Sequence, residues 1–420
     1  MSRFDRPSLF GVALVGMLVV AACGGGSSAS SSGKPTGPIN VGAVFALTGN
    51  AAPFGQAREE GVAVAIDDIN AAGGVLGQKL NLIPVNTSSD PVDAVPAVRQ
   101  MLAADNISVA QGLTAADWPN ALPLFEQAKM VIFDHVPDPS IDTKATTYEW
   151  RTVPSDGLEG TAMVMAANHL GYHNVALAFQ ASDEAQSLLP AIQRAASKLG
   201  VNIVANPQLP VGAPSYAAEV RQIVNAHPDA ILLQLQPQQS GNFFHSLEEL
   251  GGSQIPVVGS DSTTTSEWIQ SVGADIVARQ VVSVVPASSP SGPGANEFYP
   301  IFQQKFGHAP RTNSANGYDG MTVAALAMEA AGSIDPKVYV NYIMKVTTPG
   351  SGITDVYSYA QGLQLLKQGK AIKYIGIGSD MTYNKYHAIT GPFEIDKVPA
   401  GGTVQTQYTM SAADVAQVIA

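Results

Sequence analysis

The side chains able to do covalent chemistry are thinly spread along this 420-residue chain. Its seven histidines, His135, His169, His173, His227, His245, His308 and His387, are scattered, without a cluster of Cys and His ligands. Cys23 is the only cysteine, so no internal disulfide can form. No GxSxG elbow, phosphate-binding GxxxxGKS/T loop or HExxH pair is present. The turn Gly376-Ile377-Gly378-Ser379-Asp380 is glycine-rich but lacks the rest of a dinucleotide fingerprint. No enzyme, metal or cofactor is expected. The chemistry left is recognition. Phe54 and Trp118 offer faces that stack on an apolar or planar molecule, or else pack as core and helix starts. His135 is a donor for a carboxylate or carbonyl, or a solvated loop histidine. Gln180, Gln234 and Gln236 bring amides to the ends of apolar runs, where each binds a ligand or satisfies backbone. Asp156 and Asp261 pair with a polar ligand group or cap the helices that follow them. Tyr318-Asp319 serves packing or the edge of a site.

The elements that position these residues follow from periodicity. Residues 39–47, 79–85, 107–111 and 130–134 are short apolar runs that read as strands, and helical patterns separate them. Val62, Ala65, Ile66 and Ile69 share one face of a helix that begins near Gly55 and ends at Gly73-Gly74. Further helices cover 94–104 and 118–127. A second series repeats the alternation. Its helices cover 157–170, 184–199, 216–226 and 241–250, and its strands 175–179, 201–205, 230–236 and 255–258. Strands alternating with helices predict an α/β fold of two Rossmann-like lobes with parallel sheets. Pro154 and residues 286–293 mark crossings between the lobes. The first lobe then comprises 39–154 and 286–375, and the second 155–285 and 376–420. Ligands bind beyond the carboxyl ends of such strands. The loops 48–55, 112–118, 134–139, 180–184, 236–239 and 260–265 therefore converge on one cleft if the lobes face each other.

The start of the chain sets its location. Arg3 and Arg6 precede an apolar run, 9–22, that is too short to span a bilayer and fits the hydrophobic region of a secretory signal. The run ends in Val20-Ala21-Ala22-Cys23, which resembles a bacterial lipobox. That resemblance implies cleavage after residue 22 and lipid on Cys23; the alternative is an ordinary cleavage site beside a chance cysteine. Residues 23–38 form a Gly/Ser-rich tether. The whole chain has 45% hydrophobic and only 13% charged residues, the balance of a chain whose body is globular. Losing Arg3, Arg6 and Asp5 takes the net charge from −12 to −13, and an acidic surface without a basic stripe excludes nucleic acid as a partner.

A family resemblance rests on segments spread over nearly the whole body. They are VGAVFALTGNAAPFGQA at 41–57, DDINAAGGVLGQKLNLIPVN at 67–86, WRTVPSDGLEG at 150–160 and PDAILLQL at 228–235. GYDGMTVAALAMEAAG at 317–332, GKAIKYIGIGSD at 369–380 and GPFEI at 391–395 follow in order. In order and spacing they resemble the branched-chain amino-acid and amide-binding branch of type I periplasmic binding proteins. The resemblance implies two α/β lobes joined by three crossing segments, hinge closure on a small solute, and a membrane permease of the ABC type as partner.

Departures from the family pattern fall at the ligand. The resemblance implies a Ser/Thr pair in the loop held here by Gly112-Leu113-Thr114-Ala115-Ala116, and a Gly-Ala-Thr turn where this chain has His135-Val136-Pro137. Thr114 keeps one hydroxyl, Ala115 and Ala116 have no donor side chain, and Pro137 has neither hydroxyl nor N–H. The second lobe's usual Tyr-Gly is replaced near Glu184-Ala185, and Asp261 stands where some members pair an acid with the ligand ammonium. The expected contacts are Phe54, Thr114, Ala115, Trp118, His135, Asp156, Gln180, Gln236, Asp261 and Tyr318. The expected protein is a monomeric, lipid-anchored, extracytoplasmic substrate-binding lipoprotein of an ABC importer. It would capture an amino acid, an amide or a small organic or aromatic acid. The alternatives are a sensor that presents its solute to a membrane receptor or kinase, and a secreted enzyme on the same scaffold.

Overall fold

The first apolar run becomes a strand because both of its faces are buried. In β1, Ile39–Phe45, Val41, Ala43 and Phe45 enter one hydrophobic cluster and Val44 enters another across the sheet. A run apolar on both sides is what a helix-covered parallel sheet requires. The computed structural model describes residues 37–49, 51–144, 146–287, 292–311, 313–401 and 404–419. The expected signal, Cys23 and nearly all of the tether lie outside these residues, as does part of the expected crossing at 286–293.

Five parallel strands form the first sheet. After β1 come β2 (Leu80–Asn86), β3 (Ile107–Gly112), β4 (Ile132–Asp134) and β5 (Glu149–Arg151), in the order β2-β1-β3-β4-β5. The second sheet contains β6 (Asn174–Phe179), β7 (Asn202–Ala205), β8 (Ala230–Gln234), β9 (Val257–Gly259) and β10 (Val281–Pro286). A two-stranded pair, β11 (Thr354–Val356) and β12 (Ile372–Tyr374), packs on the first lobe. The chain then returns to the second sheet as β13 (Phe393–Lys397) and β14 (Gln405–Met410), both antiparallel. The second order is β14-β13-β10-β9-β8-β6-β7. Without its antiparallel edge it repeats the first: each lobe places its first strand between its second and third. In such sheets the ligand crevice lies where the winding reverses, between β1 and β3 in one lobe and between β6 and β8 in the other.

Helices cover both faces of each sheet. Ala52–Ala71, Ser314–Ala331, Pro336–Thr347 and Tyr359–Lys367 pack on one face of the first, and Pro91–Ala104 and Trp118–Ala128 on the other. Val62, Ile66 and Ile69 of Ala52–Ala71 are buried, each contributing about 1.5–3 kcal/mol by transfer from water. That helix crosses Ser314–Ala331 at backbone contact. A Cβ at Gly61 would lie 1.8 Å from the Ser314 carbonyl oxygen, and one at Gly317 would lie 2.3 Å from the Arg58 carbonyl oxygen.

Three features differ from the sequence reading. Residues 149–151, assigned to the first lobe without a strand, form β5, whose alternation is too short to register as a strand. The expected helix 184–199 is two helices, Asp183–Ser187 and Leu189–Leu199, with a proline in the first turn of the second. Residues 376–389, assigned by sequence to the second lobe, pack on the first. Ile377, Met381, Tyr383 and Ile389 join its core, and His387 stacks on Trp150 at 3.8 Å. The backbone N–H of Arg151 donates to the His387 carbonyl at 2.9 Å. This return segment is held to the lobe by side chains and isolated backbone bridges rather than by a continuous helix or strand ladder, so it carries no periodicity.

Candidate functional site

The second lobe's strand ends carry a polar cluster at the predicted reversal. Gln180 is buried just past β6, and its side-chain oxygen accepts from the backbone N–H of Gln236 at 3.1 Å. The Gln180 carbonyl accepts from the Gln186 amide at 2.9 Å. Gln236 is exposed and is the N-cap residue of helix Pro237–Glu249. Gln234, at the end of β8, accepts from the Ser260 hydroxyl and, at 3.1 Å, from the Ser262 hydroxyl. Asp261 opens a short 3-10 helix after β9, and its backbone N–H donates to Glu159 Oε1 at 2.7 Å.

Helix Asp156–His169 joins this edge to the first lobe. Its N-cap, Ser155, accepts from the Gly157 N–H at 3.0 Å and donates to Asp142 Oδ2 at 2.6 Å. The Asp156 N–H donates to the Pro137 carbonyl at 2.8 Å, in the loop that follows β4. The Ser187 hydroxyl donates to Asp156 Oδ2 at 3.4 Å, and Glu159, one turn on, holds Asp261. The carboxyl ends of both sheets therefore meet at the first turn of this helix. Buried Arg151 fixes the first-lobe side. It pairs with Asp142 at 2.8 Å and donates to the Val136 and Asp138 carbonyls at 3.4 Å each. Arg151→Met is expected to cost about 2 kcal/mol. This lies below the 3–5 of a fully buried pair, because Asp142 is about a third exposed. A shifted urea midpoint with unchanged slope checks it.

The first-lobe edge holds buried polar groups of which the sequence reading selected only His135. Arg58, on helix Ala52–Ala71, is 7% exposed, and its Nε and Nη1 have no hydrogen-bond partner among the described residues. Burial lowers it to about 9, with the Asp134 charge pulling the other way, so the guanidinium stays charged at neutral pH. Gln111 Nε2 at the end of β3 and His135 Nδ1 after β4 are also buried without a partner among the described residues. Burial, aided by the Arg58 charge, pushes His135 well below its usual range and keeps it neutral. Burial and the neighbouring Glu149 carboxyl push Asp134 well above the usual carboxylate range. Arg58 had a sequence signal: it extends the stripe Val62, Ala65, Ile69 back by one turn, and a cation in a core stripe marks either a partner or a ligand.

The remaining expected contacts are placed differently. Phe54 is 48% exposed on the first turn of its helix. Ala115 is exposed, and the Thr114 hydroxyl donates to Asp117 Oδ2 at 2.9 Å. Trp118 turns onto the sheet, where Nε1 donates to Glu149 and Lys144 lies 5.1 Å from its ring centroid. Tyr318 is core: its hydroxyl donates to Asp68 at 2.7 Å, and Phe298 packs at 5.0 Å. The structure thus gathers His135, Asp156, Gln180, Gln236 and Asp261 along the meeting edges, while Trp118 and Tyr318 point into packing. Among the described residues, no three His, Cys, Asp or Glu side chains come together as metal ligands, and no helix is long and apolar enough to cross a membrane.

Two lobes of repeated winding order with their strand ends meeting across a crossing helix define a two-lobed solute binder. Residues 38–358 match the family described as periplasmic binding protein, and the chain belongs to it. A Leu/Ile/Val-binding protein homolog from Brucella melitensis is 23% identical over 305 residues, covering 72% of this chain and 82% of that protein. Among solved structures, a leucine-binding protein from Thermotoga maritima superposes with a TM-score of 0.71 at 19% identity, covering 90% of this chain and 99% of that one. A solute-binding protein from R. palustris in complex with benzoate gives 0.68 at 13% identity, covering 89% and 97%.

Proposed function

We propose that this chain is the substrate-binding component of an ABC-type importer, held outside the cell membrane by a lipid on Cys23. It captures one small solute between the lobes and presents it to the permease. The observation that carries this reading is the meeting of the two strand-end edges at the first turn of helix Asp156–His169. A solute seated there touches both lobes only when they close, and those extra contacts shift the population toward the closed form. His135, Asp156, Gln180, Gln236 and Asp261 are the contacts this reading favours. The relatives' names point to amino acids and to an aromatic acid as the classes to try.

The test is a thermal-shift screen of the full chain against amino acids, their amides, short organic acids and aromatic acids. Binding to the folded state alone stabilises by about 2.7 kcal/mol at a hundredfold excess over Kd, which raises the midpoint. The bound compound should be recovered unchanged. A flat response across the panel at millimolar concentration, or chemical conversion of the compound, would sink the reading.

A further inference from the structure

Taking the binding function as its premise, we propose that the solute is a monocarboxylate and that Arg58 is the residue that takes its carboxylate, with Gln111 and His135 as neighbouring donors. Isolated buried cations are rare because desolvation is costly unless a partner returns the lost interaction. Arg58 is more than nine-tenths buried and lacks a partner at two of its nitrogens among the described residues. It is not alone. Its carbonyl lies against Gly317 of helix Ser314–Ala331, and the Gln111 side chain lies against Gly320, one turn further along the same face. That spacing is about 4.5 Å along the helix axis. Gln111 adds an unmatched N–H₂, and His135, close enough to feel the Arg58 charge, adds an unmatched Nδ1. These groups come from the ends of β3 and β4 and the first turns of the helix after β1, the reversal point of the first sheet.

The unmet groups define what fits. One guanidinium and an amide N–H₂ call for acceptors carrying one negative charge, and a carboxylate supplies two oxygens with about four lone-pair sites. A dianion is disfavoured, because Arg58 already feels the charge of Asp134. An amide ligand would bring the guanidinium no negative charge of its own. The loss of hydroxyls at Ala115, Ala116 and Pro137 is consistent with a grip moved to a different side chain.

The experiment uses the full chain and matched probes: leucine against leucinamide, 4-methylpentanoate against its amide, and benzoate against benzamide, with inorganic phosphate and sulfate as further anions. At least one acid should raise the thermal midpoint by several degrees, while its amide and the inorganic anions do not. In Arg58→Met the ligand-free midpoint should rise, because a buried cation with two unmatched nitrogens is gone, and the acid-induced shift should vanish. Arg58→Lys should keep part of it. An acid shift that survives in Arg58→Met overturns the proposal, as does an amide that matches its acid in the wild type. The second result needs no variant, so it holds even where Arg58→Met fails to fold. Amides alone shifting the midpoint would refute the carboxylate while the binding function stands. No shift with any probe would refute both.

Discussion

Asp319→Asn is expected to destabilise the protein by about 3 kcal/mol at pH 7, read as a lower urea midpoint. Asp319 is fully buried and accepts from the Tyr374 hydroxyl at 2.7 Å, the Ile377 N–H at 2.9 Å and the Gly378 N–H at 2.7 Å. These bonds tie the aperiodic segment 374–378 to helix Ser314–Ala331. An asparagine has one acceptor oxygen, so at least one backbone N–H is left facing an amide N–H₂ with no water to replace the loss. Burial outweighs the donors and raises Asp319 from 3.8 to about 6. The unfolded chain therefore releases this proton at lower pH than the folded one. The group's contribution is greatest below pH 3.8, falls as pH rises, and levels off above about 6. That interval corresponds to about 3 kcal/mol. The wild-type advantage over Asp319→Asn should thus widen as pH is lowered from 7 to 4. A constant gap would refute the assignment of this titration to Asp319.

Gly61→Ala is expected to cost about 2–3 kcal/mol, although alanine favours a helix over glycine by up to about 1 kcal/mol. The added carbon would meet backbone, the Ser314 carbonyl at 1.8 Å and the Tyr318 nitrogen at 3.1 Å, and neither can rotate away. The two helices must separate, and Arg58, one turn before Gly61, moves with them. Calorimetry should show a lowered midpoint, together with a weakened carboxylate response. Gly37→Ala, with open space around it, should stay within about 0.5 kcal/mol. Equal effects at the two positions would contradict the crossing as the cause.

Much of this architecture was legible because it is local. The alternation of 39–134 and 157–258 gave strands and helices near their observed places, since parallel strands buried on both sides must be apolar throughout. The strand-end rule led to Gln180 and Gln236 without any motif. What stayed hidden is non-local. Residues 376–389 have no periodicity, and the groups that place them, Asp319 and Trp150, lie about 60 and 230 residues away in sequence. Trp118 and Tyr318 follow the same logic: their partners, Glu149 and Asp68, are 31 and 250 residues away. Arg58 was readable in principle as the next position of the apolar stripe, but Glu59 and Glu60 beside it made the segment look like a solvated face.

The order in which the chain visits the lobes also sets a timetable. The first sheet is complete at Arg151, yet the helix that crosses it, Ser314–Ala331, emerges more than 160 residues later. At about 5–20 residues per second, that is roughly 10–30 s of synthesis during which helix Ala52–Ala71 alone shields that face. Contacts this distant in sequence also slow refolding of an intact chain. The nascent protein therefore passes through a stage in which a finished sheet has one wall missing, and the covering helices must arrive before a second chain finds the gap.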